Sequence, residues 1–307
     1  MHYTLHQLKI FLTVTDFQSI TKAAEELHLT QPAISIQLKK LQDQFDIPLT
    51  EVIGRQLYIT DFGKDIAVRC RRILDEAEGI KHTVDQYKGL LSGSIKISVV
   101  STAKYIIPYF LKPFMDRHPG VQISIDVSNK NKVVEGLVKN ETDFSLVSVL
   151  PEDIKLNTVE LMENRLYLLG NEDFSGKMKS PKDLEKVTLL FREKGSATRN
   201  AMQQYLNHHK INVGSSMSLV SNEAIKQTIN AGIGFSIVPL IGLRTALKNE
   251  KIKIYPLKGL PIITKWNMVY ISGKSLTPAQ MALVNFIKEN KDNLVQEHFN
   301  WALNPLV

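Results

Sequence analysis

Apolar positions in the first 41 residues recur every three or four residues in three separate runs, the spacing of amphipathic helices. Leu5, Leu8, Phe11 and Leu12 mark the first, over residues 4–16. Ile20, Ala23, Ala24 and Leu27 mark the second, with Ser19 as N-cap. His28-Leu29-Thr30 breaks the pattern. Thr30 caps a third run, Pro32 sits in its first turn, and Ile34, Leu38 and Leu41 form its apolar stripe. Pro48, Gly54 and short apolar runs over 46–60 predict a two-stranded hairpin. Beyond it, Ile66, Cys70, Ile73, Ala77, Ile80, Val84 and Tyr87 alternate spacings of four and three, an a/d heptad seam. The seam predicts a long helix over 61–90 that pairs with a second copy of the chain. Packing on its own chain is the alternative.

Leu91-Ser92-Gly93-Ser94 ends that helix. Strands then alternate with helices: 95–99, 121–127 and 143–149 as strands, 105–117 and 132–139 as helices. This βαβαβ start predicts a parallel sheet with right-handed crossovers. Further strands are expected near 167–169, 187–191, 217–220, 235–238 and 268–271. Helices are expected near 197–208, 222–231 and 278–290. The layout suits two α/β lobes, with the chain crossing near Glu163 and returning near Lys265.

Composition narrows the class. At 307 residues, 43% hydrophobic and 22% charged, the chain reads as two or three globular domains. No apolar run reaches the roughly 18 residues of a membrane span, and the N-terminus carries no export signal, so the cytosol is the expected compartment. The single cysteine, Cys70, allows no intrachain disulfide and no cysteine-cluster metal site. At a seam position it reads as a small buried apolar residue, with a redox-sensor role as the alternative. The net charge of +7 is unevenly placed: residues 1–92 hold 11 Lys and Arg against 12 Asp and Glu, so the excess lies in 93–307. Any nucleic-acid affinity of the N-terminal part must come from placed charges such as Lys39, Lys40 and Arg55.

The third helix carries the first candidate site. Gln31, Ser35 and Lys39 lie one turn apart on the face away from the stripe. A short polar face at a helix start suits base edges in a DNA major groove; it equally suits a helical hairpin with a polar exterior. Arg55, at the hairpin tip, can reach a phosphate or the minor groove.

Residues 5–63 resemble the winged helix-turn-helix of LysR-type transcriptional regulators. The resemblance rests on Leu5, Phe11, Ser19, Ala23-Ala24, Leu27, Leu29-Thr30-Gln31-Pro32-Ala33, Ser35, Gln37, Leu41, Pro48-Leu49, Gly54-Arg55, Leu57, Thr60 and Gly63. Ile36, Thr50 and Val52 depart from the family's usual arginine, aromatic and basic residues. It implies DNA contacts from Thr30, Gln31, Pro32, Ser35, Lys39 and Arg55, and dimerisation through Ile66, Cys70, Ile73, Ala77, Ile80 and Val84. The remainder resembles the family's effector-binding region, a two-lobed α/β fold like that of periplasmic binding proteins. Ser101-Thr102, His118-Pro119-Gly120-Val121, Asp143 and the Ala231-Gly232-Ile233-Gly234 stretch through Pro239 carry that likeness. The expected division is 1–60 winged helix-turn-helix, 61–92 linker helix, 93–164 with 266–307 lobe I, and 165–265 lobe II.

Three hydroxyl-rich helix starts follow strands: Ser101-Thr102, Ser196 to Arg199, and Ser221. Ligands in α/β lobes bind where strand C-termini meet helix N-termini, and free N–H groups there favour anions. Each start is also a plain N-cap candidate. Together with the Asn129 loop they define an expected effector site of Ser101, Thr102, Asn129, Ser196, Thr198, Arg199 and Ser221, with Arg199 as the anion's cation. These loops look most like the branch that regulates carbon-fixation genes, which implies a small carboxylate or phosphorylated metabolite as effector. No cofactor or metal is expected. The family implies double-stranded promoter DNA, further copies of the chain as dimer or tetramer, and RNA polymerase as partners, with no membrane.

An enzyme is the rival class. No Walker A, Rossmann glycine fingerprint, G-x-S-x-G or H-E-x-x-H motif occurs. His208 and His209 are adjacent on one predicted helix, so their rings point to different faces and cannot readily share a metal.

Overall fold

Thr4 opens the first helix, α1 (Leu5–Phe17), with a reciprocal cap: the Gln7 N–H donates to the Thr4 hydroxyl, and the Thr4 N–H donates to the Gln7 side chain. The computed structural model describes residues 2–54, 56–87, 91–151 and 153–305. They form two units, Met1–Leu91 and Ser92–Val307.

In the first unit, α2 (Ile20–Glu26) and α3 (Gln31–Gln42) start at Ser19 and Thr30, whose hydroxyls accept from the N–H groups of Lys22 and Ala33. His28, at φ 53°, turns the corner between them. Ala23 and Ala24 are buried where α1, α2 and α3 meet, and Phe11, Ile34, Leu41 and Leu49 fill the core. The wing is an antiparallel hairpin of β1 (Thr50–Ile53) and β2 (Gln56–Ile59). Gly63 lies so close to the wing's base that a Cβ there would sit 2.1 Å from the Leu49 carbonyl oxygen.

A 27-residue helix, α4 (Asp61–Tyr87), follows, and its apolar stripe divides. Cys70 is only 3% exposed and lies with Ala67 in the core of its own helix-turn-helix, with Phe62, Ile66 and Leu74 packed against it. Cys70 thus packs within its own chain rather than against a second copy, and Ile66 is half-buried against the same core. Here α4 lies along α1, tied by an Arg71–Asp16 ion pair at 2.8 Å. Further along, Ile73 and Ile80 are 40% and 69% exposed, and Ala77 is half-buried. The side chains of Val84 and Tyr87 lie outside the described residues.

The second unit opens with β3 (Ser92–Val100), a single 3-10 turn (Ala103–Tyr105) and α5 (Ile107–Arg117). Next come β4 (Gly120–Ser128), α6 (Lys130–Val138) and β5 (Phe144–Val147). β3 runs parallel to both β4 and β5, the expected βαβαβ arrangement. The long β6 (Leu156–Asn171) leads into the other half: a 3-10 segment (Pro181–Lys186), β7 (Thr188–Arg192), α7 (Ala197–His208), β8 (Ser215–Leu219) and α8 (Asn222–Asn230). It continues with β9 (Ser236–Pro239), α9 (Arg244–Asn249) and β10 (Ile252–Ile254) before β11 (Ile262–Ile271) returns the chain. The closing helix, α10 (Pro278–Leu303), runs well beyond the expected end at Asn290.

β6 and β11 pair antiparallel over ten residue pairs, and Glu163 stands opposite Lys265 midway along them. On one side of that point β11 also pairs with β5; on the other, β6 pairs with β9 and β10. These two strands thus belong to both halves, which makes the unit two-lobed. The first lobe is cored by Ile95, Ile97, Phe110, Phe114 and Ile287, and the second by Leu168, Leu189, Leu206, Phe235 and Ile237. Among the described residues no helix is long and apolar enough to cross a membrane.

Candidate functional site

The strand ends point to one place. β3 ends at Val100 and β7 at Arg192, and the N-caps of α6 and α7 are Asn129 and Ser196. All four residues line a single cleft between the lobes. Ser101 and Thr102 border it from the first lobe, Ser196 and Thr198 from the second. Two helix N-termini therefore bring unpaired N–H groups and the positive ends of their dipoles to the same cleft. Neither Thr102 nor Ser196 uses its hydroxyl to cap its own helix. Gly195 makes the sharp turn before α7 at φ +87°, where an added Cβ would lie 3.5 Å from the Asn131 amide of the facing lobe.

Arg192, 4% exposed at the end of β7, is the buried cation of the cleft, which Lys130 also lines. The Arg192 Nε and Nη2 donate to the two carboxylate oxygens of Glu193 at 2.8 and 2.9 Å. Nη1 donates to Asn222 Oδ1, and Nη2 reaches across the lobes to Ser101 Oγ at 3.3 Å. Such a buried guanidinium is tolerated because its fork is paired, here by a two-toothed carboxylate.

Arg192 was missed from sequence, and Arg199 stood in its place. The signal was there: an arginine closing the apolar run Leu189-Leu190-Phe191 falls at a strand C-terminus. Arg199 does not line the cleft. Its Nη1 donates to the Arg192 carbonyl at 2.7 Å and to Ser218 Oγ at 3.3 Å, and its guanidinium lies 5.0 Å from the centre of the Phe191 ring. It clamps α7 onto β7 and β8. Ser221 is likewise an N-cap, accepting from the Ala224 N–H at 3.0 Å, and its neighbour Asn222 is the residue that holds Arg192. Asn129 caps α6 by accepting from the Lys132 N–H, yet still borders the cleft.

In the first unit, Thr30, Gln31, Pro32 and Lys39 of the α3 region are exposed and Ser35 is half-buried. Thr30 caps the helix. Gln37 is half-buried and its side chain accepts from Gln7 Nε2 at 3.2 Å, fixing α3 against α1. Lys39 and Lys40 lie in the last turns of α3. Arg55 lies outside the described residues.

The Cys70 thiol is pushed up to about 11 by burial, which keeps it protonated at neutral pH and argues against a redox-sensor role.

Residues 5–64 match the bacterial regulatory helix-turn-helix model of the lysR family, and residues 88–292 match the LysR substrate binding domain model. The chain is 34% identical over 289 residues to the RuBisCO operon transcriptional regulator of Acidithiobacillus ferrooxidans, covering 93% of this chain and 94% of that one. It is 33% identical to the transcriptional regulator CbbR of Rhodospirillum rubrum, with 92% and 95% covered. Among solved structures, the Synechocystis CcmR regulatory domain in complex with 2-PG superposes with a TM-score of 0.61 at 29% identity, covering 66% of this chain and 99% of that one.

Proposed function

We propose that this chain, which belongs to the LysR family of transcription regulators, reads promoter DNA through α3 and is switched by a small anion held at Arg192. The observation that carries the switch is the convergence of a buried arginine, three hydroxyls (Ser101, Thr102 and Ser196) and two helix N-termini in one cleft. A carboxylate or phosphate competes with Glu193 for the Arg192 fork and gains those hydroxyls and N–H groups. Thr198 and the Asn129 loop complete the site; Arg199 and Ser221 support it from behind. The 2-PG of the CcmR domain is a phosphorylated carboxylate, which supports this ligand class. The RuBisCO operon regulators among the relatives support carbon-fixation genes as targets.

An anion that takes the Arg192 fork turns Glu193 aside or parts the lobes. Either change makes affinity depend on lobe arrangement, and that difference is what a ligand can use to shift an equilibrium. A coupling of about 1–3 kcal/mol is sufficient for a regulatory response.

On the DNA side, Thr30, Gln31, Pro32, Ser35 and Lys39 form the contact face, and Arg55 adds a phosphate contact. Ile73, Ala77 and Ile80 form the seam to a second copy, and pairs of dimers set two α3 helices on each of two neighbouring sites. Contact with RNA polymerase and a cytosolic location follow from that role.

The test is fluorescence anisotropy of the full-length protein on genomic duplexes it retains in a gel shift, with and without phosphorylated sugars, 2-phosphoglycolate and simple carboxylates. DNA affinity or footprint length should change with a phosphorylated or carboxylated metabolite and not with its uncharged analogue. Failure to retain any genomic duplex sinks the regulator reading. Retention that ignores every anion sinks the switch alone.

A further inference from the structure

We infer that Ile36 reads the methyl group of a thymine in the major groove and so sets one base of the operator. The inference rests on α3 being the reading helix. Ile34, Leu38 and Leu41 are the buried side of α3. At 3.6 residues per turn, Ile36 lies about 200° round the axis from Ile34, at the centre of the outward face. Pro32 and Lys40 stand one turn before and after it, and all three are exposed. Gln31 and Ser35 lie nearer the flank, so the position that projects furthest from the core is held by an isoleucine.

A lone exposed apolar side chain is ordinary on a protein surface. This one differs in its setting. Ile36 is 54% exposed, it is β-branched and so a poorer helix former than a lysine or glutamate would be, and Lys39 and Lys40 flank it. An apolar centre with a cationic rim on a helix that follows a tight turn matches one surface: the major groove floor between two phosphate ridges. The one apolar feature on that floor is the thymine 5-methyl, and the ridges take the lysines. A hydrogen-bonding residue at position 36 would select a base through its donors and acceptors. Isoleucine selects through the methyl, which distinguishes thymine from cytosine at the same place.

Duplexes bound by the full-length protein are selected from a random-sequence pool, and each thymine of the selected site is replaced in turn by deoxyuridine, which removes only the methyl. One thymine per half-site should weaken wild-type binding about fourfold on replacement, the equivalent of one methyl returned to water. The Ile36→Ala protein should bind the thymine duplex about as weakly and be indifferent to the replacement, so that the double-mutant cycle shows coupling. The exposed position and the helix propensity of alanine leave folding intact. Absence of any sensitive thymine overturns the inference, as does a penalty that persists unchanged in Ile36→Ala. Lys39→Ala separates the two levels. If it weakens binding to all duplexes while the cycle shows no coupling, α3 reads DNA and Ile36 does not. If it also has no effect, both readings fall.

Discussion

Arg192 of the second lobe donates from Nη2 to the hydroxyl of Ser101 of the first across 3.3 Å, while the carboxylate of its own neighbour Glu193 accepts from that Nη2 and from Nε. One buried guanidinium thus serves as lobe clamp and ion-pair partner together.

Arg199 should behave as a structural residue. Arg199→Ala removes two hydrogen bonds and a ring contact that hold α7 to β7 and β8. A loss of about 1.5–3 kcal/mol is expected for hydrogen bonds from a charged donor, read by denaturant unfolding. Titration with the effector-class anions should give affinity within a few-fold of wild type. A variant of full stability that has lost anion binding would put the guanidinium back in the cleft.

The divided stripe of α4 makes opposite substitutions separable. Ile80→Asp places a charge on an exposed seam position and should shift light scattering toward monomer without unfolding the DNA-binding unit. Cys70→Asp buries an unpaired charge in that unit's own core, at several kcal/mol, and should unfold it. A normal oligomer with Ile80→Asp would show that the exposed stripe has no partner.

Cys70 also predicts a pH effect. Burial raises its pKa from 9.0 to about 11. The folded thiol therefore holds its proton where the unfolded one has lost it. The contribution is full below pH 9 and is lost as pH rises toward 11, at about 1.4 kcal/mol per pH unit at most. Comparing wild type with Cys70→Ala should show a steeper loss of stability for wild type across that window. Parallel slopes would mean that the thiol is not shielded.

On α3, Lys39→Ala should weaken binding to all duplexes and flatten its salt dependence. Gln31→Ala and Ser35→Ala should instead reduce sequence discrimination by about 1–3 kcal/mol for each good base contact. Competition titrations with specific and random duplexes read both. If all three variants bind like wild type, another element contacts the DNA.

The helix-turn-helix was legible because its signals are local: Ser19 and Thr30 cap the helices they were read to cap, and Ile34, Leu38 and Leu41 are buried together. The long strands β6 and β11 were seen at one end only. Their other stretches, rich in polar residues such as Asn157, Glu160, Asn164 and Thr264, are strands because each pairs with the opposite strand about 100 residues away in sequence. The last turns of α10 follow the charged stretch 288–292, which reads as a helix end. They persist because Phe299 packs on Tyr109 and Phe110 of α5. Spacing locates the stripe of α4 but not what covers it: Cys70 and Ile73 are neighbouring seam positions, yet the first is 3% exposed in its own unit's core and the second 40% exposed. The hydroxyls of the cleft were read from strand-to-helix junctions. Arg192 and Arg199 flank the same junction, and only the folded chain decides which one lines the cleft.

Calorimetric titration of the full-length protein with 2-phosphoglycolate tests the role of Arg192 most directly, in wild type, Arg192→Lys and Thr102→Val. Lysine keeps the charge but cannot donate to Glu193, Asn222, Ser101 and a ligand with one planar fork. Valine keeps the shape of threonine and removes a hydroxyl. Wild type should bind saturably, Arg192→Lys at least tenfold more weakly, and Thr102→Val more weakly with unchanged folding. Equal affinity in all three proteins would place the anion elsewhere and contradict the cleft as the switch.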